Sequence, residues 1–170
     1  LSDAIRWIGD KFEAWDIFLP ELMLAADAMT AGTSVLTPAL PKDAVTELGT
    51  VVIGTSKGDI HDIGKAIVGT MMIAAGFKVI DIGIDVPPAA FADAAEQNGA
   101  DIVAVSAIMA TTVSGQKDVV DYFEAVGIKD KYKIMVGGAA CTSEFAAAIG
   151  ADGYGEDAVE AVRAATALVG

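Results

Sequence analysis

The chain has 170 residues, room for one α/β core plus a smaller appendage, since domains usually run about 100–150 residues. Eleven basic against 24 acidic residues leave a formal charge of −13, which repels nucleic-acid phosphates and anionic membrane surfaces and excludes both as expected partners. The hydrophobic share of 54%, with 18 glycines and few aromatics, suits buried parallel strands under helices; no charge-free apolar run of about 18 residues marks a membrane span, and one cysteine excludes an intrachain disulfide, leaving a cytoplasmic setting as the default.

From Ile5 to Met29 apolar positions recur at helical spacing, and Pro20 lies near the start of a second helix, so the first segment is expected to be a helical hairpin. The chain opens at Leu1 inside this pattern, without methionine, and is expected to be a processed or truncated form. Thr30 to Gly49, with Ala31-Gly32-Thr33-Ser34, Pro38 and Pro41, breaks the period and has a linker's composition. The expected boundaries are a partial helical cap at 1–32, a linker at 33–49 and an α/β domain at 50–170. Strands are expected at Thr50–Thr55, Phe77–Gly83, Asp101–Ser106, Lys133–Gly137 and Asp152–Tyr154. Helices are expected near Ile63–Ala75, Pro88–Asn98, Val113–Val126, Glu144–Ile149 and Glu156–Leu168. Right-handed crossovers then favour a flavodoxin-like (Rossmann-like) five-stranded parallel sheet in the order 2-1-3-4-5, with ligands at the carboxyl ends of strands 1 and 3.

The sole histidine, His61, lies on the loop leaving the first strand, within Gly58-Asp59-Ile60-His61-Asp62-Ile63-Gly64-Lys65. Asp59 is placed to accept its second N–H, the arrangement of a metal ligand with its orienting carboxylate. One imidazole cannot hold an ordinary protein metal site, and neither a cysteine pair nor HExxH supplies further donors, so a metal here must arrive with its other ligands attached. On local grounds alone the blander reading has better odds: Asp62 caps the next helix, Asp59 sits in a turn and Lys65 is solvated. The neighbours shift that balance. Ser106-Ala107-Ile108-Met109-Ala110-Thr111-Thr112, Gly137-Gly138-Ala139-Ala140 and Asp152-Gly153-Tyr154-Gly155-Glu156-Asp157 fall at strand ends on the same edge.

Asp59-x-His61-x-x-Gly64, the serine segment and the Gly137-Gly138 pair together resemble the cobalamin-binding domains of corrinoid methyl-transfer proteins, including the related module of methionine synthase. The resemblance covers nearly the whole chain. It implies a cobalamin cofactor with His61 as lower axial cobalt ligand, Asp59 and Thr112 behind it, and Asp62, Ile63 and Gly64 on the same loop. Ser106, Ile108, Gly137, Gly138, Ala139 and Gly155 would line the slot for the displaced nucleotide tail, the glycines by close backbone approach or, equally on local grounds, as tight turns. Gly9-Asp10-Lys11-Phe12-Glu13 and Phe18-Leu19-Pro20-Glu21-Leu22 are similar to the family's helical cap, which implies Phe12 and Leu19 over the upper face; without the resemblance both are packing residues. Ile108 stands for the usual leucine, Ala110 for threonine, and Trp15 occupies a position where glycine is usual.

The implied activity is that of a methyl carrier working between a substrate-specific methyltransferase and a second methyltransferase with a tetrahydrofolate-type or thiol acceptor. A reductive activator is a further possible partner, and neither nucleic acid nor membrane is one. The alternative is a cobalamin-dependent transcriptional regulator whose DNA-binding part is absent from these residues. A mutase small subunit lacks this type of cap, and a flavodoxin-like receiver would leave His61 and Gly137-Gly138 without a shared purpose.

Overall fold

Two helices, α1 (Ser2–Glu13) and α2 (Leu19–Leu36), precede a strict alternation of strands and helices in a computed structural model that describes residues 2–36 and 47–170. The alternation runs β1 (Thr50–Thr55), α3 (Ile63–Ala75), β2 (Lys78–Asp81), α4 (Pro88–Asn98), β3 (Ile102–Ser106), α5 (Ser114–Ala125), β4 (Lys133–Gly137), α6 (Ser143–Ala148), β5 (Gly153–Gly155) and α7 (Ala158–Val169). All pairings are parallel and the order is β2-β1-β3-β4-β5, the flavodoxin-like sheet expected.

Strand side chains alternate between two cores, as the two-residue period of a pleated strand requires. Val51, Ile53, Ile102, Ala104 and Met135 pack with Met72 of α3 and with Ala161 and Ala165 of α7. Val52, Val103, Val105, Ile134 and Val136 face the other way, onto Phe91 of α4 and Phe123 of α5. On that second face Gln116 is fully buried, and its amide donates to the carbonyls of Val105 (3.0 Å) and Gly137 (2.7 Å), tying the ends of β3 and β4 to α5.

A third cluster seats the helical hairpin. Ile5 and Leu22 are buried against Met71 and Ala74 of α3, flanked by Phe12, Ile67, Ala158 and Val162, so the hairpin rests on the outer side of α3 and α7. Helix α1 closes on Trp15, whose N–H donates to the Phe12 carbonyl (3.0 Å) while Asp16 N–H donates to that of Lys11 (2.9 Å). Trp15 therefore occupies the left-handed position of a Schellman-type cap, at φ 61° and 86% exposed, where glycine would be less strained.

The expected linker needs correction at its start. Thr30 to Leu36, read as irregular, completes α2; a lone helical glycine such as Gly32 costs only about 1 kcal/mol, less than is needed to end a helix. Positions 37–46 of that linker lie outside the described residues. Strand β2 is also shorter than expected, and its continuation departs from the regular ladder after Asp81.

Gly138 has φ 113°, and a Cβ there would lie 2.1 Å from the Ala107 carbonyl oxygen. Gly138→Ala is expected to destabilise the fold by at least about 2 kcal/mol in chemical denaturation. Burial pushes the Cys141 thiol up to about 11 from 9.0. Between these values the unfolded chain ionises first, so stability should fall as pH rises from 9.0 toward 11. Iodoacetamide at neutral pH should label Cys141 only after denaturation.

Candidate cofactor-binding site

The loop between β1 and α3 is organised around Asp59, which is fully buried. One carboxylate oxygen, Oδ1, accepts from His61 N–H (3.0 Å) and pairs with His61 Nδ1 (2.7 Å). The other, Oδ2, accepts from Ile108 N–H (2.9 Å), the Thr112 hydroxyl (2.5 Å) and, more distantly, Met109 N–H (3.4 Å). Burial alone pushes this carboxyl up; the Thr112 hydroxyl, the Ile108 amide and the His61 ring and amide outweigh it and hold the group well below the usual carboxylate range. An ionised carboxylate only accepts, so His61 carries its hydrogen on Nδ1, and the lone pair of the neutral ring lies on Nε2. The His61 side chain is 45% exposed at the carboxyl end of the sheet, and the Thr55 hydroxyl fixes its backbone by donating to the His61 carbonyl (3.0 Å).

Beside this loop a cavity of about 430 Å³ runs down between α3, α7 and the sheet, with Ile67, Val68, Ala158 and Ala161 among its apolar walls. Gly64, Ser106, Ile108, Gly137, Gly138, Ala139 and Gly155 all line it. The structure separates the glycines by role. A Cβ on Gly64 would meet nothing within 4 Å, so this missing side chain keeps open space open. On Gly137 it would meet the Gly155 carbonyl oxygen at 2.8 Å, on Gly155 the Ala161 Cβ at 2.6 Å, and on Gly138 the Ala107 backbone. Those three are glycine because the protein's own segments approach one another, and only Gly138 among the expected pair has the positive φ of a tight turn.

Other expectations resolve differently. Asp62 sits at the N-cap of α3, but its side chain makes no capping bond, because its backbone has helical φ and ψ and not the extended geometry a capping side chain favours. Ile60 and Ile63 project into solvent beside His61, 68% and 75% exposed. Lys65 is not solvated: it is buried, it lines the cavity, and its ammonium pairs with Asp81. Phe12 is half-buried in the hairpin's seat on α3 and α7, the packing position its helical spacing implies, and Leu19 begins α2 half-buried. Sequence reading passed over Thr55, Ile67, Ala158 and Asp85. The only signal for Asp85 was Gly83-Ile84-Asp85 before Pro87-Pro88, a turn composition after a strand.

Comparison with known proteins identifies the class of ligand. One model of a B12 binding domain matches residues 49–163, and a second B12 binding domain model matches residues 1–37. The chain is 48% identical over 170 residues to the dimethylamine corrinoid protein of Methanosarcina barkeri, covering 99% of this chain and 80% of that one. It is similar to the solved monomethylamine corrinoid protein of Methanosarcina barkeri, with a TM-score of 0.68 and 39% identity over 96% of this chain and 78% of that one. The methanol:cobalamin methyltransferase complex of the same organism contains a chain with a TM-score of 0.87 and 32% identity, covering 98% of this chain and 65% of that one. Matched by such models across both its hairpin and its sheet, the chain belongs to the B12-binding corrinoid methyl-carrier proteins.

Proposed function

We propose that the chain is the cytoplasmic shuttle of a methyltransferase system, loaded by a substrate-specific methyltransferase and unloaded by a second one acting on a tetrahydrofolate-type or thiol acceptor. A reductive activator is a further partner of such a shuttle. Dimethylamine is the first donor to assay, because curated relatives 45% to 48% identical to this chain are dimethylamine corrinoid proteins. Bound cobalamin supplies a cobalt centre able to take up a methyl group and release it. The chain's residues supply binding, orientation and electrostatics.

The observation that carries this reading is the geometry of one nitrogen. His61 Nε2 faces outward from a ring whose other nitrogen is held by a buried, ionised carboxylate. Among the described residues no three metal-binding side chains converge, so the residues present fit a metal that would arrive with its other ligands attached and take a single nitrogen from the chain. His61 is that lower ligand in this reading, Asp59 orients it, and Thr112 keeps Asp59 in place. The cavity past Gly64 is where the nucleotide tail would be held, lined by Ser106, Ile108, Gly137, Gly138, Ala139 and Gly155. Asp62 and Ile63, on the same loop as His61, would border the corrin. Phe12 and Leu19 of the hairpin are the residues that would cover the upper face.

His61→Ala should abolish the nitrogen coupling in the electron paramagnetic resonance spectrum of the Co(II)-cobalamin complex. An unchanged spectrum removes His61 from the site. Asp59→Asn should weaken cobalamin binding by about ten- to hundredfold in a spectrophotometric titration, since an outer partner of a metal-bound histidine is lost. Thr112→Val removes a charge-assisted bond to the buried carboxylate and should cost the cobalamin-free protein about 1.5–3 kcal/mol in urea unfolding.

A further inference from the structure

The β2–α4 connection does not simply leave the sheet. Ile82 N–H donates to the Ile53 carbonyl (2.9 Å) and Thr55 N–H to that of Gly83 (3.0 Å), so pairing with β1 continues past the end of β2. The next ladder bond, from Val86 N–H, goes to the Thr55 carbonyl (3.0 Å), and Ser56 bridges to Val86. Ile84 and Asp85 are thereby looped out, a bulge of the kind that bends a strand and re-aims its side chains beside a site. Its near end is fastened by Asp81, which takes the Lys65 ammonium and, at Oδ1, Gly83 N–H (2.8 Å).

Within the bulge Asp85 has φ 53°, one of only two non-glycine residues with positive φ among those described. Glycine would adopt that conformation at lower cost, so an aspartate there is explained by what its oxygen does. Asp85 Oδ1 accepts Gly58 N–H at 2.7 Å, and its own N–H donates to the Asp59 carbonyl at 3.0 Å. Gly58 is itself left-handed at φ 85°. The two bonds land on the backbone of Gly58 and of Asp59 itself, on the β2 side of β1, whereas Thr112 and Ile108 come from the β3 side.

We infer that Asp85 is a positioning residue for His61: it holds the Gly58–Asp59 backbone at the one place from which the Asp59 carboxylate reaches both the β3–α5 loop and the imidazole. This rests on the reading of His61 as lower axial ligand. Without the Asp85 bonds the loop keeps its donors at Ile108 and Thr112 but loses its outer fixation, so Nε2 is aimed less sharply while the core is untouched.

Two substitutions separate aiming from folding. Asp85→Gly keeps the left-handed backbone and removes the oxygen; Asp85→Asn keeps an acceptor and tolerates the same φ. With Co(II)-cobalamin, Asp85→Gly should lose about tenfold in affinity and show a reduced nitrogen-coupled fraction, whereas Asp85→Asn stays close to the wild type. The thermal midpoint of the cobalamin-free protein should barely move in either, because relief of strain offsets one lost bond. Wild-type affinity and coupling in Asp85→Gly would overturn the inference, as would an equal loss in both variants or a binding loss that tracks a fall in melting temperature. Absence of histidine coupling in the wild type would instead remove the lower-ligand reading beneath it. Amide exchange needs no variant: protection of Gly58 N–H comparable to the β1 amides supports the inference, and exchange at the rate of a free amide overturns it.

Discussion

Taking an ionised carboxylate out of water costs several kcal/mol unless other donors replace the lost solvent. Asp59 is wholly buried, and its two oxygens are surrounded by donors from its own loop and from the segment after β3. Each of those bonds also fixes something else: a ring orientation, a loop end, the first turn before α5. The carboxylate is therefore the point at which two loops at the switch between β1 and β3 agree on a common geometry. A neutral amide in its place has a single accepting oxygen and could serve only one of the two loops, whereas the carboxylate serves both and orients the imidazole beside it.

Around that anion the fold brings backbones close enough to leave a slot and no closer. The β3–β4 and β4–β5 approaches require glycine at Gly137, Gly138 and Gly155, since any side chain would collide with neighbouring carbonyls or with α7. Gly64 is the exception, bare toward open space. One side of the cavity is thus set by contacts within the protein, and the other is left free for whatever enters. Gln116 contributes from beneath, pinning the carbonyls of Val105 and Gly137 from the far face of the sheet.

The strand order and the location of the histidine loop were legible because alternation of short β-rich runs with helical periods leaves few topologies, and a parallel sheet gathers all its β–α loops on one edge. The identity of Asp59's partners was legible in part: Thr112 was anticipated through family resemblance, but the amides of Ile108 and Met109 carry no sequence signal, since every non-proline residue has one. Lys65 was misjudged because solvation is the ordinary state of a lysine, and only the register of β2 against β1 shows that Asp81 lies beneath it. Asp85 was invisible for a related reason. A bulge is a property of pairing between two strands, whereas the sequence displays one strand at a time. The extent of α2 was underestimated because glycine, serine and threonine weaken a helical pattern without ending it.

Ile67 and Ala158 each belong to two structures at once: they line the cavity, and they form part of the platform on which Ile5, Leu22 and Phe12 rest. A guest that shifts these two side chains shifts the hairpin's footing by the same motion, and a hairpin that departs takes Ile5, Leu22 and Phe12 away from that wall. Whatever sign that linkage takes, it is reciprocal. Occupancy below and attachment of the helices above are two readings of one wall.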